Sequence, residues 1–156
     1  MSLAIGAYRN NGGNGKSLGH VRVLRLVGND DDDDDGPSWK HLDRNILDGE
    51  AGKDYSGWSL AISTDGNIFA TGADENNGNG YKSSHVRVYR LEDNDDWPRW
   101  QQLIQDIDGE RAGDYLGTVS LSADDMILAI EVEFNDGDGV DSGHVRVYML
   151  ETGGLT

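Results

Sequence analysis

Hydrophobic and polar side chains alternate along several short segments of this sequence. In residues 85–89, His-Val-Arg-Val-Tyr, two valines alternate with a histidine, an arginine and a tyrosine, which is the period of a β-strand. Similar segments, rich in β-branched and aromatic residues, recur between turns rich in glycine, asparagine and aspartate. No segment has the period of an amphipathic helix. The pattern predicts an all-β fold.

The sequence His-Val-Arg-Val occurs three times, beginning at His20, His85 and His144. Successive copies are 65 and 59 residues apart, and an acidic insertion loop at 28–37 accounts for most of the difference. The length fits a single domain, 1–156. The sequence therefore predicts one domain of about two and a half repeats. The repeats lie at about 3–47, 48–107 and 108–156.

Each complete repeat predicts four short strands joined by turns. The first repeat has no segment for strand one, and the last has none for strand four. Repetition of such units is typical of a propeller-like array of four-stranded antiparallel blades. Strand three is the His-Val-Arg-Val segment. Strand one is predicted at 58–63 and 118–122, strand two at 67–73 and 126–132, and strand four at 38–47 and 99–107.

Several motifs recur with small changes: Asp-Gly-Glu, Gly-x-Asp-Tyr-x-Gly, Ser-x-Asp-Gly, Ala-x-Gly-Ala and Gly-His-Val-Arg-Val-Tyr. Together they resemble the FG-GAP-type repeats of β-propellers, in the bacterial and algal branch. The resemblance covers nearly the whole chain from about Ala4. It implies a multi-bladed ring in a secreted or cell-surface protein that binds partners and rarely performs chemistry.

The charge and composition exclude several classes of function. Asp and Glu number 29 against 13 Lys and Arg, and the formal net charge of -16 repels nucleic acid and anionic membrane surfaces. No apolar run is long enough to insert into a membrane, and no signal segment is present in this chain. The absence of cysteine excludes disulfides and cysteine-zinc sites.

The polar residues of the repeat are predicted to be structural. In each His-Val-Arg-Val strand the histidine and arginine share one face, which neighbouring blades cover. Buried polar groups need partners, and Asp54 and Asp114 before strand one are the predicted ones. A metal or proton-transfer role is disfavoured because copies in different blades lie too far apart to act together. These structural positions are His20, His85, His144, Arg22, Arg87, Arg146, Asp54 and Asp114.

Two further groups of residues are candidates for ligand binding. Asp136, Asp138 and Asp141 share one glycine-containing loop, and calcium prefers several carboxylate oxygens around a tight turn. The spacing lacks the terminal glutamate of an EF-hand, so a solvated loop is the alternative. The four tryptophans, Trp39, Trp58, Trp97 and Trp100, are interpreted as blade core. Trp97 and Trp100 flank a proline turn, so stacking on a carbohydrate is the alternative for these two. No other cofactor is predicted.

The predicted function is a non-catalytic binding or structural module that recognises a protein or a glycan through its blade loops. The alternative is a fragment of a glycosidase-like propeller hydrolase whose catalytic residues are unidentified. Glu50 and Glu110, with Asp48 and Asp108, are carboxylates of the kind glycosidases use, yet they recur once per repeat. That recurrence favours loop anchoring over a single active centre.

The missing strands also predict self-association. An incomplete array leaves apolar blade faces and strand edges uncovered. Either further sequence or a second copy of the chain would complete the ring. We expect a homodimer of six blades with two-fold symmetry.

Overall fold

The structure, a computed structural model, describes residues 1–11, 15–28, 36–42, 47–92, 98–151 and 154–155. These residues form thirteen β-strands and no helix, which confirms the all-β prediction. In the same residues no helix is long and apolar enough to cross a membrane. The strands are β1 (Ser2–Gly6), β2 (His20–Val27), β3 (Ser38–His41), β4 (Leu47–Asp48), β5 (Ser56–Ile62), β6 (Ile68–Ala73), β7 (His85–Glu92), β8 (Arg99–Gln102), β9 (Ile107–Asp108), β10 (Leu116–Leu121), β11 (Ile127–Val132), β12 (His144–Glu151) and β13 (Gly154–Leu155).

The strands form three antiparallel sheets, one for each sequence repeat. The first contains β1, β2 and β3 in that order, with β4 also paired to β2. The second contains β5 to β8, with β9 also paired to β7, and the third contains β10 to β13. The three sheets share the same register, because in each a valine of strand three is paired with an alanine of strand two. The pairs are Val23 and Ala4, Val88 and Ala70, and Val147 and Ala129.

Strand four differs from its prediction in two ways. It is divided, because β3 and β4 both pair with β2, while β8 and β9 both pair with β7. Residues 103–106 lie between β8 and β9, outside both strands, and Gln102 donates a 2.8 Å hydrogen bond to the carbonyl of Ile104 there. The last repeat also contains the start of a strand four, since β13 pairs with the end of β12.

The sheets stack through the valines of strand three. Val21 and Val23 of β2 are buried in a cluster with Phe69 and Trp100 of the second sheet. On the opposite face of the second sheet, both valines of β7 are buried with Leu128 and Ile130 of the third sheet. Each interface therefore joins the valine-bearing face of one sheet to the arginine-bearing face of the next.

Paired glycines allow the sheets to approach closely. A Cβ on Gly72 of β6 would lie 2.0 Å from the carbonyl oxygen of Gly117 in β10. At the equivalent place in the other interface, a Cβ on Gly6 would lie 2.2 Å from the carbonyl oxygen of Gly57 in β5. Any side chain at Gly6 or Gly72 would force the sheets apart, which explains why the motif Ala-x-Gly-Ala recurs at the end of strand two in these two sheets.

Candidate functional site

The middle sheet contains a partly buried polar cluster around Arg87. Arg87 donates hydrogen bonds of 2.9 and 2.7 Å from Nε and Nη2 to the two carboxylate oxygens of Asp106. Glu50 forms a second ion pair with the same guanidinium. Gln102 donates a 2.7 Å bond to Asp106, which the interruption of strand four brings beneath the arginine. His85 completes the cluster, with Nδ1 at 3.6 Å from Asp106.

The pKa shifts in this cluster favour a fixed ion pair beside a neutral imidazole. Burial lowers the pKa of His85, and Arg87 lowers it further, against the opposing effect of Asp106. Burial alone would raise the pKa of Asp106, but hydrogen bonds from Arg87 and Gln102 bring it below its ordinary value. The carboxylate and guanidinium are therefore charged at neutral pH and the histidine is not. The cluster is suited to holding the sheet together rather than to transferring protons.

The other two repeats contain related but less complete clusters. Arg146 lies 2.9 Å from a carboxylate oxygen of Glu110 and donates a 3.0 Å hydrogen bond to the backbone carbonyl of Asp108. Its Nε also lies 3.2 Å from Nε2 of His144. The three histidines thus occupy the same position, at the start of strand three, with different surroundings.

In the first repeat the histidine is buried but the arginine is exposed. His20 is buried, and burial lowers its pKa, with Arg22 acting in the same direction. Its Nδ1 lies 3.9 Å from a carboxylate oxygen of Asp48. Arg22 itself is exposed, unlike its counterpart in the middle sheet.

The predicted partners Asp54 and Asp114 have a different role. Both are buried, but Asp54 accepts a 2.8 Å hydrogen bond from the backbone N–H of Ala51, and Asp114 accepts one of 2.9 Å from that of Arg111. Each carboxylate closes the turn three residues before it. Arg87 and Arg146 instead form ion pairs with the glutamates of the Asp-Gly-Glu loops. Arg87 also pairs with Asp106, which lies between β8 and β9. Asp106, missed at the sequence level, has no equivalent in a repeated motif.

The predicted calcium loop is held by its own hydrogen bonds. Asp136 accepts a 2.8 Å bond from the backbone N–H of Asp141, and Asn135 accepts one of 2.9 Å from that of Gly137. Among the residues that the structure describes, one group of three potential ligands comes within metal-binding distance, and it lies elsewhere. That group is Glu50, His85 and Asp106, and its carboxylates already bind Arg87.

Trp100, one of the two tryptophans predicted to stack on a carbohydrate, is not exposed. Trp100 is 8% exposed and packs edge-on against Phe69, with ring centroids 4.7 Å apart. It belongs to the core because its position in β8 faces the first sheet. Trp97 lies outside the described residues.

Another tryptophan, interpreted from the sequence as core, is exposed. Trp58 is 50% exposed and lies edge-on to Tyr8, with centroids 5.1 Å apart, while Tyr55 lies 6.1 Å from Tyr8. We call Tyr8, Tyr55 and Trp58 the aromatic cluster. The sequence signal for the exposure of Trp58 is the glycine before it. Gly57 has a φ of 82°, and the register between β5 and β6 shifts around it.

The carboxylates considered for glycoside hydrolysis belong to separate ion pairs. Glu50 contacts Arg87 in the second sheet, and Glu110 contacts Arg146 in the third. Each is the only glutamate of its Asp-Gly-Glu loop, so the two occupy equivalent places in different repeats. The arrangement is that of a repeated anchor for the loop.

Comparisons with models of known protein families and with curated proteins found no match. The resemblance to FG-GAP repeats therefore depends on the motifs of this sequence and stays a prediction.

Proposed function

We propose that this chain is a non-catalytic binding module in which the three sheets are blades of a propeller-type array. We further propose that it recognises a glycan through the aromatic cluster. The repeats resemble those of secreted and cell-surface proteins, and we propose that location for this chain too. The exposed aromatic cluster is the observation that carries the proposal.

The non-catalytic part of the proposal is supported by how the recurring polar groups are used. Arg87 and Arg146 neutralise the glutamates nearest to them, and Asp54 and Asp114 close turns. A general acid and base must be free to exchange protons with a substrate. In the second and third repeats these groups are instead held in ion pairs or in backbone hydrogen bonds.

The ligand class is supported by the chemistry of the aromatic cluster. Trp58 presents half of its surface to solvent, and Tyr8 and Tyr55 are only partly buried beside it. Aromatic rings with one wet edge combine apolar contact area with hydrogen-bonding tips, which suits the faces and hydroxyls of a sugar. The net charge of -16 repels anionic ligands, so a neutral glycan is the favoured class.

A glycan array of neutral and acidic oligosaccharides tests the proposal. We expect binding to neutral glycans that Trp58→Ala and Tyr8→Ala weaken about tenfold or more. Tyr81→Ala is the matched control, because Tyr81 is 71% exposed and lies outside the aromatic cluster. Circular dichroism confirms that each variant is folded. Binding to no neutral glycan, or equal loss in the control, would overturn the proposal.

A further inference from the structure

Each outer sheet of the stack has one uncovered apolar face. On the third sheet, Val145 and Val147 are 62% and 65% exposed, and Ile127 and Met149 are 42% and 48% exposed. These four residues form what we call the open valine face. The equivalent valines of the middle sheet, Val86 and Val88, are completely buried.

The first sheet exposes the opposite kind of face. Leu3, Ile5 and Trp39 are 41%, 43% and 43% exposed, and Arg22 lies beside Ile5 in the paired strand. We call these four residues the open arginine face. Its counterpart in the second sheet contains Phe69 and is buried beneath the valines of β2.

The two open faces are the two halves of an interface that the chain already forms twice. In both internal interfaces, the valine face of one sheet covers the arginine face of the next. A second copy of the chain would supply the missing half to each open face. The contact would be head to tail, joining two different surfaces.

Charge favours this pairing over contact between two identical faces. Glu131 lies opposite Val145 in the ladder and Glu151 continues the same face of β12, so the open valine face is acidic at both ends. The open arginine face contains Arg22. Head-to-tail contact brings opposite charges together, whereas two valine faces would bring like charges together.

Glu131 also distinguishes this contact from the internal ones. It occupies the position of Gly6 and Gly72, each opposite the first valine of strand three. Those glycines make room for a carbonyl of the first strand in the receiving sheet, β5 or β10. In the described residues the first sheet begins with β1, which corresponds to the second strand of the other sheets. A side chain at 131 therefore meets no such carbonyl there.

We propose that the open valine face of one chain docks on the open arginine face of a second copy. This inference does not depend on glycan binding. Val147→Asp should disrupt the valine face, and Leu3→Asp should disrupt the arginine face. Val140→Asp is the matched control, because Val140 is 88% exposed in a loop away from both faces. Circular dichroism and thermal melts verify that every variant is folded.

Multi-angle light scattering at micromolar concentration provides the test. We expect the native chain and Val140→Asp at twice the monomer mass of 17.0 kDa, and each face variant alone at 17.0 kDa. An equimolar mixture of Val147→Asp and Leu3→Asp should recover the dimer, because each supplies the face that the other lacks. If one face variant stays dimeric alone, the contact joins identical faces and the proposal is wrong. A monomeric native chain also overturns it.

Discussion

Replacing Arg87 by alanine should lower the free energy of unfolding by about 3 kcal/mol, because it leaves the partly buried carboxylate of Asp106 without its counter-ion. Arg87 has a side-chain exposure of 13% and binds both oxygens of Asp106. Two features hold the loss at the lower end of the range for broken buried pairs. Asp106 keeps its bond from Gln102, and its side chain is 27% exposed. Glu50, with a side-chain exposure of 56%, adds little.

Urea denaturation and thermal melting measure this loss, which corresponds to a fall in Tm of about 6–12 °C for a chain of this size. Both variants are compared in the Val147→Asp background, which we expect to be monomeric, so that docking does not affect the result. There the repeat provides its own control: Arg22→Ala removes the same residue from the same strand position, but where the side chain is exposed. We expect that control to change stability by less than about 0.5 kcal/mol. Equal losses in the two variants would show that the buried ion pair does not stabilise the fold.

Three further predictions follow from the same clusters and interfaces. Because the pKa of His85 is lowered in the folded protein, the unfolded chain binds a proton at this histidine at a higher pH than the folded chain does. The free energy of unfolding should therefore fall as the pH drops below about 6.5. In urea titrations His85→Gln should reduce this dependence of stability on pH. Gly72→Ala should destabilise the protein by about 3 kcal/mol or more in the same assay, because its Cβ would meet the next sheet. Gly28→Ala, where the added Cβ has no neighbour within 4 Å, should not. Millimolar calcium should raise Tm no more than magnesium does, because the carboxylates of Asp136, Asp138 and Asp141 do not come within metal-binding distance of one another. A calcium-specific rise in Tm would instead support the predicted calcium site.

The sequence was sufficient to predict the strands because their signal is local. Alternation identified β7 and β12, and repetition confirmed which segments correspond. Strand four was harder, since its interruption at 103–106 depends on how Asp106 binds Arg87 across the sheet. That contact joins residues 19 apart and has no repeated motif to mark it.

The candidate site was predicted less well than the fold. A repeated polar residue indicates burial but does not identify its partner, so Asp54 was assigned to Arg87 when it closes its own turn. Exposure was misjudged for Trp58, because the bulge at Gly57 turns this side chain outwards. Regular pairing keeps Trp100 in the core, as its first interpretation had it. The face of the sheet to which a side chain points depends on the pairing register, and a shift of one residue moves the side chain to the opposite face.

The stacking of the sheets has a consequence for how the molecule opens. The main contacts between sheets join β1 and β2 to β5, and β10 to β5, β6 and β7, so each sheet depends on its immediate neighbour. Cooperativity in such a stack is transmitted one boundary at a time, and the ends can detach while the centre stays folded. In the monomeric Val147→Asp chain, amide hydrogens of β6 and β7 should therefore exchange with solvent last. The two outer sheets would therefore unfold first, while the middle sheet stays folded.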